Sequence, residues 1–363
     1  MQKNDIISIA EAIGVSNEDA RCVYDDAIKN VSVEEIGPLF SRIMKDLPTP
    51  SEIQYKNNAM VILKTFLLDK TNKLKYRAFV DNFMNYRDRR HEDTVIIMQS
   101  LINLFGINNT KFIYSTKEQC GSKYRSYVIN QTDILELSVD DKMTIDQTLK
   151  KYLKESEEID PNNIRKECRS IGKVKRKIDI ICSNNYVLIR LNRSQVNLMM
   201  TPSELSSKIT INDKNYDLIG VSYYTGTSKR GHYINYINYN GTIVEYNDTT
   251  VTQKREIPNR VIEFQTQYIP YVLLYKLSTY DDRGKFMPPG PGFYNPSASC
   301  YCNAALHLLL RTDFYEKIMG TETKNPTVKR NRLQEQLQRE RIDLGNISED
   351  IQRKMYQYIL ARV

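Results

Sequence analysis

Hydrophobic spacing changes period once along this chain, near residue 110, and that change limits the fold more than any single motif. Before it, apolar residues recur every three to four positions over Ile6 to Ile13, Glu18 to Lys29, Val33 to Met44, Gln54 to Leu68 and Asp93 to Leu104, the spacing of helices with one buried face. From Lys111 to Leu277 short alternating and β-branched segments take over: 111–114, 125–128, 186–191, 217–224, 233–239 and 271–277. Helices first and strands afterwards is the pattern of an α+β chain. Asp281 to Gly292, DDRGKFMPPGPG, is the one obvious linker, rich in Pro and Gly. It leads into a last apolar, helix-like run. With 363 residues and 40% hydrophobic content, a real core is affordable in one large domain or two ordinary ones.

Composition removes several function classes. The N-terminal stretch MQKNDIISIAEAIG has no basic lead or sustained apolar run, and no window approaches a membrane span of about 18 apolar residues. An intracellular, cytoplasmic protein is expected, with nuclear placement left open and no membrane partner. Six cysteines in a chain this long do not make a disulfide framework. The net charge of +8 is modest and dispersed. Its densest stretch, 325–341, carries Lys329, Arg330, Arg332, Arg339 and Arg341 against Glu335 and Glu340. Such a face is ordinarily solvated, and nucleic acid or an acidic partner is the minority reading for it. No cofactor is expected.

Chemistry concentrates in NPSASCYCN, residues 295–303. Asn295 precedes Cys300, which opens the apolar run through Ala304, Leu306, Leu308 and Leu309. A cysteine at a helix N-terminus gains thiolate character from the dipole and the unpaired N–H groups there, and an upstream amide can donate to an oxyanion. The pattern is that of a thiol nucleophile needing a base. Only three histidines exist: His91, His232 and His307. His232 lies in Gly231-His232-Tyr233 at the head of an alternating strand, followed by Asn247 and Asp248. A hairpin would place Asn247 or Asp248 beside the imidazole to fix its tautomer. Cys302, His91 and His307 read as structural.

These two segments resemble the Cys box and His box of the ubiquitin-specific proteases, in reversed order, since Cys300 follows His232. Further stretches resemble the same family in its order: HEDTVIIMQSLINLF at 91–105, Cys120 and Ile134 to Leu137, TIDQTLKKYLKESEEID at 144–160, Cys168, YVLIRLNR at 186–193 and YVLLY at 271–275. The resemblance spans roughly 89–315. It implies a papain-like cysteine protease fold of the α+β class, with helical thumb, β fingers and palm, circularly permuted. On that reading 1–110 is a helical thumb part, 111–280 the fingers and palm with the His box, 281–292 a linker fusing the ancestral termini, and 293–363 the Cys-box helix with helices completing the thumb.

What the resemblance implies chemically is cleavage after the C-terminal glycine of ubiquitin or a ubiquitin-like modifier. Cys300 would be nucleophile, His232 base, Asn247 the third member with Asp248 in support, and Asn295 the oxyanion donor. Asp93, Gly231 and Tyr233 would border the modifier tail. The chain departs from the family at Ser297 (usually Gly), Ser299 (Thr), Ala304 (Ser) and Ile96 (Glu). Two alternatives therefore stay open: a binding or structural protein of weak turnover that keeps the fold, and a processing protease for another Gly-Gly protein. Where the fingers often hold zinc through paired Cys-x-x-Cys knuckles, Cys120 is followed by Lys123 and Cys168 by Ile171. Two thiolates cannot close a tetrahedral site, so no metal is expected. Elemental analysis of purified protein should find no stoichiometric zinc, and one metal per chain would overturn this.

Overall fold

The computed structural model describes residues 50–70, 73–83, 93–107, 109–120, 124–154, 156–158, 174–192, 201–226, 231–263, 266–295 and 299–320. The helices expected at Ile6 to Ile13, Glu18 to Lys29 and Val33 to Met44, together with His91, Cys168 and the basic stretch 325–341, lie outside these residues. Two units are distinguished. One comprises Met1–Val61 with Thr321–Val363, and the other is Ile62–Gly320. The linker-like stretch 281–292 falls inside the second.

The described helices begin with α1 (Pro50–Leu68), α2 (Lys73–Phe83) and α3 (Thr94–Phe105). Asp93 caps α3, its carboxylate accepting from the Val95 N–H at 2.9 Å. Gly106 ends it in the left-handed conformation, φ 58. The strands β1 (Phe112–Cys120), β2 (Tyr124–Thr132) and β3 (Leu135–Ser138) follow, then a short helix α4 (Ile145–Leu153). A capping box starts α4: Thr144 accepts from the Gln147 N–H at 3.2 Å, and Gln147 accepts from the Thr144 N–H at 3.0 Å. The remaining strands are β4 (Ser156–Glu158), β5 (Val174–Ser183), β6 (Tyr186–Asn192), β7 (Lys208–Ile211), β8 (Lys214–Gly226), β9 (Gly231–Tyr239), β10 (Thr242–Asn247), β11 (Thr250–Lys254), β12 (Val261–Glu263) and β13 (Thr266–Leu277). The chain closes with α5 (Cys300–Leu310) and α6 (Phe314–Gly320).

The strands form a four-stranded sheet, β2-β1-β5-β4, and a larger one in the order β11-β10-β9-β8-β13-β6-β3, with β7 on β8 and β12 on β13. Every pairing in the larger sheet is antiparallel except β3 with β6. β6 lies between β13 and β3, so its near-continuous apolar run YVLIRL is buried as a central strand requires. β9 and β10 are joined by Asn240 and Gly241, both with positive φ (54 and 99). This Asn-Gly pair is the strongest local hairpin signal, and it fixes the register that brings the end of β10 back toward the start of β9.

All eleven residues of α5 are buried, which makes it a central helix. Its C-terminal end is held by Arg311, 1% exposed, whose Nε donates to the Asn238 carbonyl at 2.9 Å and whose Nη1 meets Asp282 at 2.5 Å. Asp282 also takes the Lys276 ammonium at 3.1 Å, and Met287 N–H donates to the Leu310 carbonyl at 2.8 Å. The Pro/Gly-rich stretch is thus tied to both β13 and α5.

Candidate active site

Cys300 stands at the first position of α5, preceded by Ser299, whose side chain makes no cap bond. The Ser299 N–H and hydroxyl instead donate to the Asn295 carbonyl oxygen, at 2.7 and 3.1 Å. Asn295 therefore shapes the turn that aims Cys300. The opening N–H groups of any helix lack intrahelical acceptors, so a positive partial charge faces the thiol. At the first residue of α3, the Thr94 hydroxyl donates to the Tyr301 carbonyl at 2.9 Å, joining the two helix N-termini.

The base is on β9. His232 is hydrogen-bonded to the Cys300 thiol, and its Nε2 is 2.8 Å from the Asn247 side-chain oxygen. The Asp248 carboxylate is farther, at 4.0 Å from Nε2. Burial lowers the basicity of the ring, but its hydrogen bonds to Cys300 and Asn247 and its electrostatic interactions with Cys300 and Asp248 outweigh this and raise His232 to about 9. The imidazolium form therefore persists through neutral pH and is lost only as pH rises through that value. Tyr268 borders the ring edge-on, centroids 6.3 Å apart.

Asp248 has its own task. It occupies the β10–β11 turn with φ 51, a left-handed position that Asp and Asn tolerate. Its carboxylate accepts from Asn295 at 2.8 Å and from Asn303 at 2.9 Å. One carboxylate thus joins the His-bearing hairpin to the Cys-bearing helix. Cys302, by contrast, is wholly buried, and burial pushes its thiol up to about 12. His307 is stacked between Phe293 and Tyr246, centroids 4.2 and 4.0 Å away, and burial drops it to about 3. It is a neutral packing ring.

The expected tail-binding residues gather beside this centre, in altered form. Asp93 is already engaged: its Oδ2 accepts from the Tyr271 hydroxyl at 2.6 Å and from Arg190 Nη2 at 3.0 Å. Tyr233 is buried against Tyr224 and Tyr271, centroids 4.8 and 5.9 Å away. Gly231 is confined by Tyr224. A Cβ there would stand 2.2 Å from the Tyr224 ring, so the ring itself fills the space. Arg190, Tyr224 and Tyr76 had no signal in the sequence. Among the described residues no cluster of His, Cys, Asp and Glu could hold a metal ion, and no helix is long and apolar enough to cross a membrane.

The profile of the family described as ubiquitin carboxyl-terminal hydrolase matches residues 32–275 of this chain. The chain belongs to the ubiquitin carboxyl-terminal hydrolase family. The matched stretch of this family member contains His232, Asn247 and Asp248 and ends before Asn295 and Cys300. Solved structures similar to it include the SAGA DUB module of Ubp8, Sgf11, Sus1 and Sgf73 bound to monoubiquitin, at 18% identity and TM-score 0.41 over 52% of this chain and 48% of that one. Another is the Ubp8-Sgf11-Sgf73-Sus1 SAGA DUB module, at 16% identity and TM-score 0.37 over 52% and 48%. A third is a yeast SAGA DUB module with an Sgf73 mutant, at 17% identity and TM-score 0.40 over 57% and 50%. The chain spans about half the length of the solved structures it matches. No curated protein matches it in sequence.

Proposed function

We propose that this chain is a cysteine-type deubiquitinating hydrolase, cleaving after the C-terminal glycine of ubiquitin, on a family fold circularly permuted so that the His box precedes the Cys box. The observation that carries the reading is the contact between Cys300 and His232, with Asn247 holding Nε2 of the same ring. Nδ1 is then the nitrogen left for the thiol. The permutation is supported by a profile match that stops at residue 275 while the cysteine lies beyond it, and by a 281–292 stretch tied to both β13 and α5.

In the reaction, His232 takes the proton from Cys300, or holds it as an ion pair, and the thiolate attacks the carbonyl carbon of the terminal glycine. The tetrahedral oxyanion is met by N–H groups at the start of α5 and by Asn295. That side chain gives one of its two N–H bonds to Asp248, leaving the second for the oxyanion. As the intermediate collapses, His232 donates its proton to the departing lysine amine, and water activated by the neutral ring then hydrolyses the thioester. Asn295→Ala is expected to cut turnover by about 10²-fold or more, in line with other oxyanion donors, and also to lower the melting temperature because Ser299 and Asp248 lose a partner. Unchanged kcat in a folded Asn295→Ala protein would remove it from the oxyanion site.

Reaction with ubiquitin bearing a C-terminal electrophile tests the reading. A covalent adduct on Cys300 is expected, and failure of the wild-type protein to react would refute it. Asp93 gives specific support to a second substrate class. Because Arg190 and Tyr271 already neutralise that carboxylate, a modifier whose tail is less basic than ubiquitin's would lose little there. A panel of modifier probes discriminates the two, the faster-reacting tail identifying the substrate.

A further inference from the structure

We propose that Tyr76, on a helix remote in sequence from both boxes, is a positioning residue for the catalytic pair, acting through a relay from its hydroxyl to Asn303, from Asn303 to Asp248, and from Asp248 to His232. The inference rests on the reading of Cys300 and His232 as the reacting pair, and extends it to a side chain with no role in the chemistry itself.

The relay is buried at Tyr76 and Asn303 and partly exposed at Asp248 and His232, and its last link is electrostatic, not a hydrogen bond. Tyr76 is 0% exposed, and its hydroxyl donates to the Asn303 side-chain oxygen. Asn303, 3% exposed, turns its Nδ2 to Asp248 Oδ1 at 2.9 Å. Asp248 Oδ2 takes Asn295 at 2.8 Å and stands 4.0 Å from His232 Nε2. The polarity of each link is forced. An ionised carboxylate only accepts, so Asp248 takes the Asn303 NH2, and the amide oxygen is left to accept from the Tyr76 hydroxyl. The hydroxyl thereby satisfies the far end of the amide that holds the Asp248 carboxylate in place. Backbone packing reinforces the position, since a Cβ on Gly292 would lie 1.9 Å from the Asp248 carbonyl oxygen. The ring of Tyr76 is fixed in turn by Phe66 and Phe293, centroids 4.9 and 5.9 Å away, and its hydroxyl also touches the Cys302 thiol.

Loss of the Tyr76 hydroxyl strands the Asn303 oxygen without a donor, and the amide must tilt or flip to recover one. Either movement loosens Asp248, one of the groups that keep His232 protonated. Among the described residues, the other charged and titratable groups facing that ring are Cys300 from α5 and Tyr268 from β13.

The test is a pH titration of the full chain labelled with 15N-histidine, in which only three imidazoles report. His232 is expected to titrate near pH 9 in the wild-type protein. In Tyr76→Phe its midpoint should fall by about 0.5 to 1 pH unit, the share of a neighbouring carboxylate that is no longer held. Phe314→Leu, which trims a buried ring packed on Phe105 and outside the relay, should lower the melting temperature and leave the midpoint in place. On a ubiquitin substrate, Tyr76→Phe should lower kcat about tenfold, as small displacements of catalytic groups do, with KM within about twofold. If Tyr76→Phe does not fold, Asn303→Ser breaks the relay from its other end and should give the same shift. A His232 midpoint unmoved in the folded variant would reduce Tyr76 to a core residue and overturn the proposal. A midpoint that moves in a protein inert toward ubiquitin would uphold the relay while refuting the substrate.

Discussion

Cys300→Ala is expected to abolish turnover and labelling by a ubiquitin electrophile, a loss of about 10⁵-fold or more of the kind seen when a nucleophile is deleted, whereas Cys302→Ala should retain both. Exposure does not separate the two thiols, for Cys300 is 2% and Cys302 0% exposed. The base does. Cys300 is hydrogen-bonded to His232 at the helix N-terminus, where a developing negative charge meets the dipole and an imidazolium. Cys302 lies two residues further into the helix against the Tyr76 hydroxyl, with its thiol pushed up to about 12 by burial, so at neutral pH it is neither ionised nor beside a proton acceptor. Labelling that survives Cys300→Ala and vanishes in Cys302→Ala would exchange their roles.

Asn247→Ala should lower kcat by about 10² to 10³-fold with little change in KM. Loss of a carboxylate in the third position costs about 10⁴ in a Ser-His-Asp enzyme, and an amide that orients the ring without adding charge should cost less. Its oxygen is 2.8 Å from His232 Nε2, so it fixes both ring plane and tautomer. Asp248 at 4.0 Å is beyond hydrogen-bond reach and contributes charge and the link to Asn295 and Asn303. Asp248→Asn, which the left-handed backbone tolerates, is therefore expected to cost only about tenfold in kcat. Measured kcat values in the opposite order would transfer the third role to Asp248. Activity of the wild-type protein should hold up to about pH 9 and decline above it, as the raised His232 loses its proton. In Asn247→Ala that decline should begin at lower pH, because one of the bonds favouring the protonated ring is gone.

Much of the fold was legible because burial writes period into sequence. The helix expected over Gln54 to Leu68 is Pro50–Leu68, that over Asp93 to Leu104 is Thr94–Phe105, and the strands expected at 186–191 and 233–239 are Tyr186–Asn192 and Gly231–Tyr239. The helix Lys73–Phe83 was missed although Tyr76, Phe79, Val80 and Phe83 carry helical spacing, because charged residues interleave them in a short segment, and the strand Val174–Ser183 was missed because VKRKIDIICS opens on a run of charge. Tyr76 was lost with the first of these. Asn303 was visible as a flank of the cysteine, but nothing local disclosed that its partner was an aspartate on a β-turn 55 residues earlier.

Sequence by itself determined which residue types could do chemistry here: a cysteine opening an apolar helix, a single histidine heading a strand, and an Asn-Asp pair at the end of the next strand, delivered by an Asn-Gly turn. Local propensity suffices for these because each depends on neighbours within a few residues. Tertiary structure alone decided how they are shared out. Whether Asn247 or Asp248 holds the imidazole is a choice between 2.8 and 4.0 Å. The engagement of Asp93 by Arg190 and Tyr271 joins three separate segments of chain. The filling of the space at Gly231 by Tyr224 is a cross-strand contact. Long-range side-chain packing sets these, and it leaves no period in the sequence because the partners meet only after the sheet and the central helix have closed on one another.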